Sequence, residues 1–537
     1  MSRMENVLMV NSHLERNLIQ RVSVGDMLTR TSQRFPNKVA LVDEDVTLTY
    51  KELNEKVNQV ARSLLQRGYQ KGDVVALLCE NTNEFVITYF ACAKCGLVVM
   101  PLNIKLAFDD LAYQLNQSET KVLVFTQSSK DKVEILIDEV PSLQDLFMTE
   151  ADEEFMLSGK NILPFSHLES GDDTEIEVII EDRDTLQLMY TSGTTSKPKG
   201  VETSHLAIYF SAMSTALQYK LDHNDSSIVM LPLFHVGGLT CILLPNILVG
   251  GTNVLIRRYN ASKILNTMEE YRTTWTMLSA PMWLEISDQP GLSAKDFSSM
   301  RLCVCAIATL PLARHQQVKS IFNNATIILI SGQTEFTPPN TAQRPEHAIS
   351  KSSAWGEPVV AQTAKAMDDD GNILPPGELG ELVYRGPQSM TCYFKDPEAT
   401  ESAFKYGWFH SGDSGYIDEE NVVWFVDRKK DIIKTGGENV ASVEVELVVR
   451  SHAKVAECAA VGLPHERWSE AVTIFAKIKD GESVQENELI DFCKERLAGF
   501  KVPKKVVFMN EFPMTASGKI QKHELRNIYK DLYIIKA

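Results

Sequence analysis

Positions 190–200 read YTSGTTSKPKG and follow directly on the apolar run LQLM. Such a loop suits a polyphosphate. Small residues such as Gly193 let backbone N–H groups approach phosphate oxygens, the hydroxyls of Thr191, Ser192, Thr194 and Thr195 add donors, and Lys199 supplies charge. Ser/Thr/Gly composition alone also marks ordinary turns. No GK[ST] follows the first glycine at the spacing of a Walker loop, so the kinase-like reading loses ground. Three more segments carry charge that could serve a nucleotide: SGQTE (331–335) holds Glu335, GWFHSGDSG holds Asp413, and PMTASGKIQKHELR places Lys519 after a Ser–Gly turn. Singly, Glu335 reads as a solvated loop residue and Lys519 as an exposed lysine on a turn. The string GDSG also occurs around protease nucleophiles, but Tyr416 follows it here and the surrounding pattern is α/β.

Taken together and in this order, the blocks resemble the signature segments of the adenylate-forming superfamily, which includes acyl-CoA synthetases, peptide-synthetase adenylation domains and firefly luciferase. The resemblance covers about residues 25–530 and is strongest to free-standing acyl-CoA synthetases. It implies ATP, Mg²⁺ and coenzyme A as cofactors and co-substrates, and a carboxylic acid as the group activated. It implies a nucleotide site made of Thr191, Ser192, Gly193, Thr194, Thr195, Lys199, Gly332, Gln333 and Thr334, with Asp413 and Arg428 on the ribose. It places Thr191 and Glu335 near the metal. Phe234 and His235 of LPLFHVGG, with Gly237 and Ile307, border the acid and thiol channels. Gly437 and Glu438 approach the thiol channel when the C-terminal domain turns about Lys430. Lys519 is the mobile catalytic lysine, and Glu335 and His235 complete the catalytic set.

The chemistry fits those residue types. A carboxylate acylates poorly because oxide would have to leave; attack on the α-phosphate of ATP substitutes AMP as the leaving group. Two anions must meet, so the reaction needs Mg²⁺ on the phosphates and a cation such as Lys519 between the reacting oxygens. Phe234, Met282, Trp283 and Ile307 suggest an apolar tail, so a fatty or other apolar carboxylic acid is the expected substrate, with its chain length open. The sequence departs from the family at Ser196, at Ser331 (usually an aromatic ring on adenine), at Cys305, Ala306, Ile307 and Thr309, and at Cys392. Loading of a separate carrier protein, a binding protein without turnover and a plain ATPase are the competing readings.

These side chains need a scaffold, and the sequence outlines one. Thr49 and Glu52 have capping-box spacing, Leu53, Val57, Val60, Ala61, Leu64 and Leu65 form one apolar face, and Gly68 follows the helix end. DVVALLC, LVVMP and KVLVF read as buried strands, with helices over 84–96 and near 109–115 between them. LQLMY, TNVLI, TWTML, RLCVC and TIILI continue the rhythm, which predicts parallel sheets covered by helices. Beyond Gly371 the texture changes to short strands and turns, predicting a small β-rich subdomain. DRKKDIIKTGGEN reads as a junction. The expectation is a large α/β N-terminal domain (1–427) binding ATP and acid, then a small mobile α+β C-terminal domain (428–537) carrying Lys519.

Composition sets outer limits. The net charge of −17 argues against nucleic acid as a partner, which would require clustered Lys and Arg. Twelve acidic side chains lie between Glu150 and Asp184 against Lys160 and Arg183, reading as a solvated surface excursion. Nine scattered cysteines fit a reducing compartment, the cytoplasm, and Cys92 and Cys95 of the CxxC read as buried packing. The apolar stretch 228–251 is interrupted by Pro232, His235, Pro245 and Asn246, so a buried strand and helix are expected rather than a transmembrane anchor. A homodimer is compatible with all of this.

Overall fold

In the computed structural model, which describes residues 13–169, 171–191, 198–306, 310, 312–515 and 519–533, the capping box read at Thr49 is formed. Thr49 Oγ1 accepts the Glu52 N–H at 3.2 Å, and the Glu52 carboxylate accepts the Thr49 N–H at 2.8 Å. The helix runs Tyr50–Gln66 and buries Leu53, Val57, Val60, Ala61 and Leu64. It packs on the Asn83–Cys95 helix, all of which is buried except Glu84, and which ends on a left-handed Gly96. Cys92 and Cys95 lie inside this helix as free buried thiols, and burial pushes the Cys95 thiol up to about 12.

The described residues form two compact units. The first takes 13–191, 198–363 and 385–402; the second takes 364–384 and 403–533. Two nine-stranded sheets make the first unit. In one, the strands Val39–Asp43, Thr252–Leu255, Ser226–Val229, Trp275–Ser279, Leu302–Ala306 and Thr326–Ser331 lie side by side in parallel. In the other, Thr185–Thr191, Val98–Pro101, Val74–Leu78, Val122–Phe125, Asp145–Met148 and Lys160–Pro164 do the same. Antiparallel strands close both sheets at their edges. These interior strands are short runs of Val, Ile, Leu and Phe because helices cover both faces, and one core joins side chains from the two sheets.

The second unit holds a four-stranded sheet that begins at Thr363–Met367 and is antiparallel through the three strands after Gly371, Gly380–Arg385, Phe409–Ile417 and Val423–Arg428, and a five-stranded C-terminal sheet. The β-rich segment thus groups with the C-terminal residues, and the junction expected at 427/428 lies inside this unit. Buried polar bonds are the physical reason. Asp427 Oδ2 accepts the Ser442 N–H at 2.5 Å and its hydroxyl at 2.7 Å. Lys522 Nζ reaches Ser442 Oγ at 2.6 Å and Glu446 at 2.7 Å, and Arg526 pairs with Asp431 at 2.7 Å. DRKKDIIKTGGEN is not a plain connector, since it folds as a hairpin of Ile433–Thr435 on Glu438–Val440.

One further expectation needs amendment, and one holds. The acidic stretch is largely exposed but does structural work: Glu175, with Asn54 and Asn58, receives the ammonium of buried Lys94 at 2.7–2.8 Å. The apolar stretch 228–251 becomes the end of a strand, a loop, and helical turns running to Val249 that finish on a left-handed Gly250. Among the described residues no helix is long and apolar enough to cross a membrane.

Candidate functional site

The two flanks of the phosphate-type loop pair with each other. Thr185–Thr191 and Lys199–Ser204 pair antiparallel with Thr191 opposite Lys199 and Tyr190 opposite Gly200, and Thr191 Oγ1 donates to the Lys199 carbonyl at 3.4 Å. Gly200 is closely packed: a Cβ there would lie 2.9 Å from Leu188 Cδ1 and 3.2 Å from Tyr190 Cζ, so those side chains would have to shift. Ser192, Gly193, Thr194, Thr195 and Ser196 lie outside the described residues, as do Ile307 and Thr309.

Glu335 reaches the same place from the other sheet. The strand Thr326–Ser331 ends, and Gly332 and Gln333 lead into a single turn, Thr334–Phe336. Asn340 fixes that turn from inside: its Oδ1 accepts the Gln333 N–H at 3.0 Å and its Nδ2 donates to the Phe336 carbonyl at 2.7 Å. Gly332 is needed where the chain passes Pro338, whose Cβ would lie 2.3 Å from an added methyl. Ser331 keeps its hydroxyl 2.8 Å from Thr341 Oγ1, so this position offers a hydroxyl pair where a ring was the family expectation.

The short strand Cys392–Tyr393 joins these two blocks. It pairs with the outer edge of Lys199–Ser204, placing Tyr393 opposite Val201. Just before it, the Met390 N–H donates to the Glu335 carbonyl at 2.9 Å. The Tyr393 hydroxyl donates to Glu335 Oε1 at 3.1 Å, and the Lys199 ammonium sits 4.8 Å from the Tyr393 ring centroid. One phenol therefore contacts the cation of the loop and the carboxylate of the second block. Sequence reading missed Tyr393; its only signal was a polar aromatic residue beside the departure at Cys392.

The fit to Mg²⁺ rests on donor chemistry. Among the described residues no group of three or more His, Cys, Asp or Glu could hold a metal by itself. The Thr191 hydroxyl and the Glu335 carboxylate are hard oxygen donors, and such a sparse set suits Mg²⁺, which keeps several waters and takes phosphate oxygens rather than a protein cage.

The acid-channel candidates are set by Asn81, a residue with no motif of its own. Its amide donates to the Val229, Leu231 and Ile256 carbonyls at 3.1–3.2 Å and accepts the Leu233 N–H at 2.8 Å, anchoring the segment before Phe234. Exposed His235 caps the next helical turn, its Nδ1 accepting the Gly237 N–H at 3.1 Å, so the ring proton sits on Nε2. Gly238 packs with a would-be Cβ 2.3 Å from the Leu231 carbonyl, whereas one at Gly237 would only touch Leu231, Met277 and His235 at 3.4–3.6 Å. Met282 is half-buried. Trp283 does not line a channel: it is fully buried, donates from Nε1 to the Val304 carbonyl at 3.0 Å and packs edge-on against Phe322.

The remaining candidates belong to the second unit. Asp413 is buried on Phe409–Ile417, directly opposite Arg428 on Val423–Arg428, and its Oδ1 forms an ion pair with Arg428 Nε at 2.9 Å. The carboxylate and guanidinium assigned to one ribose are thus already paired. Exposed Lys430 lies in the turn in which the Asp431 and Ile432 N–H groups return to the Arg428 carbonyl. Gly436 and Gly437 make the two-residue loop of the following hairpin, both at positive φ (61° and 87°), as its twist requires. Glu438 is exposed at its base. Lys519 is exposed beside Thr515, which accepts its N–H through Oγ1 at 3.0 Å and donates its own N–H to the Lys519 carbonyl at 2.7 Å.

Residues 28–394 match the family described as AMP-binding enzyme, and 444–519 match the AMP-binding enzyme C-terminal domain. The chain is 31% identical over 506 residues to feruloyl-CoA synthase of an Amycolatopsis species, covering 94% of this chain and 98% of that one. It is 33% identical over 503 residues to 2-succinylbenzoate–CoA ligase of Bacillus licheniformis, covering 93% and 98%. Among solved structures, O-succinylbenzoate coenzyme A synthetase of Bacillus subtilis in complex with ATP and magnesium ion is similar at a TM-score of 0.81 and 30% identity, covering 93% of this chain and 98% of that one.

Proposed function

This chain belongs to the AMP-binding enzyme family, and from that premise we propose that it is an AMP-forming carboxylic acid:CoA ligase acting on an acid with an apolar or aromatic tail. The observation that carries the proposal is the meeting of Lys199, Tyr393 and Glu335 beside the 191–199 loop. A cation for phosphate and a hard carboxylate oxygen for its metal stand on one ring, although they come from different sheets.

In the first half-reaction the carboxylate oxygen attacks the α-phosphorus of ATP, the bond to the β-phosphate oxygen breaks, and pyrophosphate leaves. Bound Mg²⁺ supplies charge neutralisation on the phosphates. Thr191 and Lys199 orient the polyphosphate, Glu335 orients its metal, and Asp413 with Arg428 orients the ribose. Lys519 holds its ammonium against the oxygens between which charge shifts, a role suited to a long, hydrated point charge. In the second half-reaction the CoA sulfur attacks the acyl carbon, AMP departs with the C–O electron pair, and the thiol proton goes to solvent. His235, with its proton on Nε2, borders that path, and Lys430 is the pivot that withdraws Lys519.

The apolar tail is supported by the surroundings of Gly237, where Leu231 and Met277 are the nearest side chains besides His235, and by half-buried Phe234 and Met282. The named relatives act on acids bearing an aromatic ring. Nine free thiols, eight of them buried, support a cytoplasmic setting.

The test is product analysis with aliphatic, aromatic and dicarboxylic acids, each with and without CoA. The expected result is acid-dependent AMP and pyrophosphate, with a CoA thioester formed only when CoA is present. ADP as product, or AMP independent of every acid, overturns the proposal; thioester on a carrier protein but not on CoA replaces CoA as acceptor.

A further inference from the structure

Tyr393 makes two contacts that a packing residue does not need. Its backbone is already fixed, because the N–H donates to Thr400 Oγ1 at 3.0 Å and its strand pairs with Lys199–Ser204. Its side chain is only partly buried and touches two charged groups: Glu335 on the hydroxyl and Lys199 on the ring face. A hydroxyl bonded to a carboxylate is among the stronger neutral-to-ion contacts. An ammonium within about 6 Å of a ring centroid is held by the ring quadrupole.

We propose that Tyr393 is a positioning residue for Mg–ATP, acting through Glu335 on the metal and through Lys199 on the phosphates; this rests on the ATP reading above. A carboxylate has about four acceptor sites, and the phenol occupies one, fixing the carboxylate's rotation while leaving acceptor capacity for a cation or its waters. The ring holds Lys199 in place by a contact weaker than one to a triphosphate, so the ammonium is presented near the loop and yields to phosphate. Because Tyr393 lies on the strand next to the loop's own flank, hydroxyl and ring act on both partners from one rigid support. The assignment separates the two halves of the side chain: the hydroxyl belongs to the metal-dependent part of ATP binding, the ring to the metal-independent part.

The experiment measures equilibrium binding of ATP to the full chain by calorimetry, once with EDTA and once with saturating Mg²⁺, for the parent, Tyr393→Phe and Tyr393→Leu. Tyr393→Phe is expected to bind metal-free ATP within about twofold of the parent but to lose roughly tenfold of the tightening that Mg²⁺ brings, the scale of a hydrogen bond to a charged group. Tyr393→Leu is expected to lose a further two- to fivefold in metal-free binding, as for an exposed cation–π contact. Ligand-free melting temperatures within about 2 °C of the parent separate this from a folding defect. Full retention of the Mg²⁺ effect in Tyr393→Phe overturns the proposal, and so does an equal loss in both conditions accompanied by a lowered melting temperature. A parent chain that binds neither form of ATP fails the ATP reading itself.

Discussion

Replacing Lys519 by alanine separates chemistry from folding cleanly. Its side chain is exposed, and its backbone is bonded to Thr515 through both the N–H and the carbonyl. The substitution therefore leaves stability within about 0.5 kcal/mol, as for a surface change away from special features. Its effect on rate follows from charge. A unit charge held about 4 Å from a developing anion in a partly desolvated site contributes about 4 kcal/mol, and losing one such electrostatic contact lowers the rate roughly 10²–10³-fold. Acid-dependent exchange of labelled pyrophosphate into ATP reads the first half-reaction; thioester formation from a synthetic acyl-adenylate and CoA reads the second. Lys519→Ala is expected to lose the first by that factor and to keep the second within a fewfold. Lys519→Arg, which keeps the charge on a bulkier planar group, falls in between. Equal losses in the two half-reactions, or a preserved exchange rate, refute the role.

Burial holds His205 at about 4, below its usual range, with Nδ1 accepting the Val24 N–H at 3.2 Å. The folded state disfavours the charged ring while the unfolded chain protonates near 6.5, so this contribution is complete above that pH and is lost as pH falls toward 4, by about 3 kcal/mol. Thermal melts of the parent and His205→Gln across this window should show a shallower fall in the variant, and parallel curves count against the assignment. Lys94→Met leaves the Asn54 and Asn58 oxygens without their cation and is expected to cost about 3 kcal/mol in denaturant melts; a cost under 1 kcal/mol, the range of exposed ion pairs, contradicts the buried-network reading. Gly238→Ala forces a methyl onto the Leu231 carbonyl and is expected to destabilise by about 2 kcal/mol. Gly237→Ala has ordinary contacts, so it should melt like the parent while shifting preference among acids; equal melting of the two variants is the refuting result.

Much of the frame was legible because its causes are local. The Thr49 and Glu52 capping box, the Gly96 helix end and the buried strand runs follow from spacing, caps and apolar runs within a dozen residues. Of the flanks of the phosphate-type loop only the first, LQLM, was legible as a strand; that Lys199–Ser204 pairs with it as a hairpin was not read from the sequence. The hairpin at Gly436 and Gly437 was less so, because its strands are only three residues each and charged, and only pairing reveals them. Trp283 was misplaced because an aromatic residue near a channel motif looks the same in sequence whether it faces the channel or the core.

By itself the sequence marked candidate residues whose chemistry suits nucleotide and acid, and determined many of the short segments that are helix or strand. Tertiary structure alone decided that Lys199, Glu335 and Tyr393 meet, that Glu175 reaches back to Lys94, and that the β-rich segment joins the C-terminal unit through Asp427 and Ser442. Each of those contacts depends on strand order and on which side chains lose water together. Neither is encoded in the period of any one segment, because both arise only when distant segments have already packed.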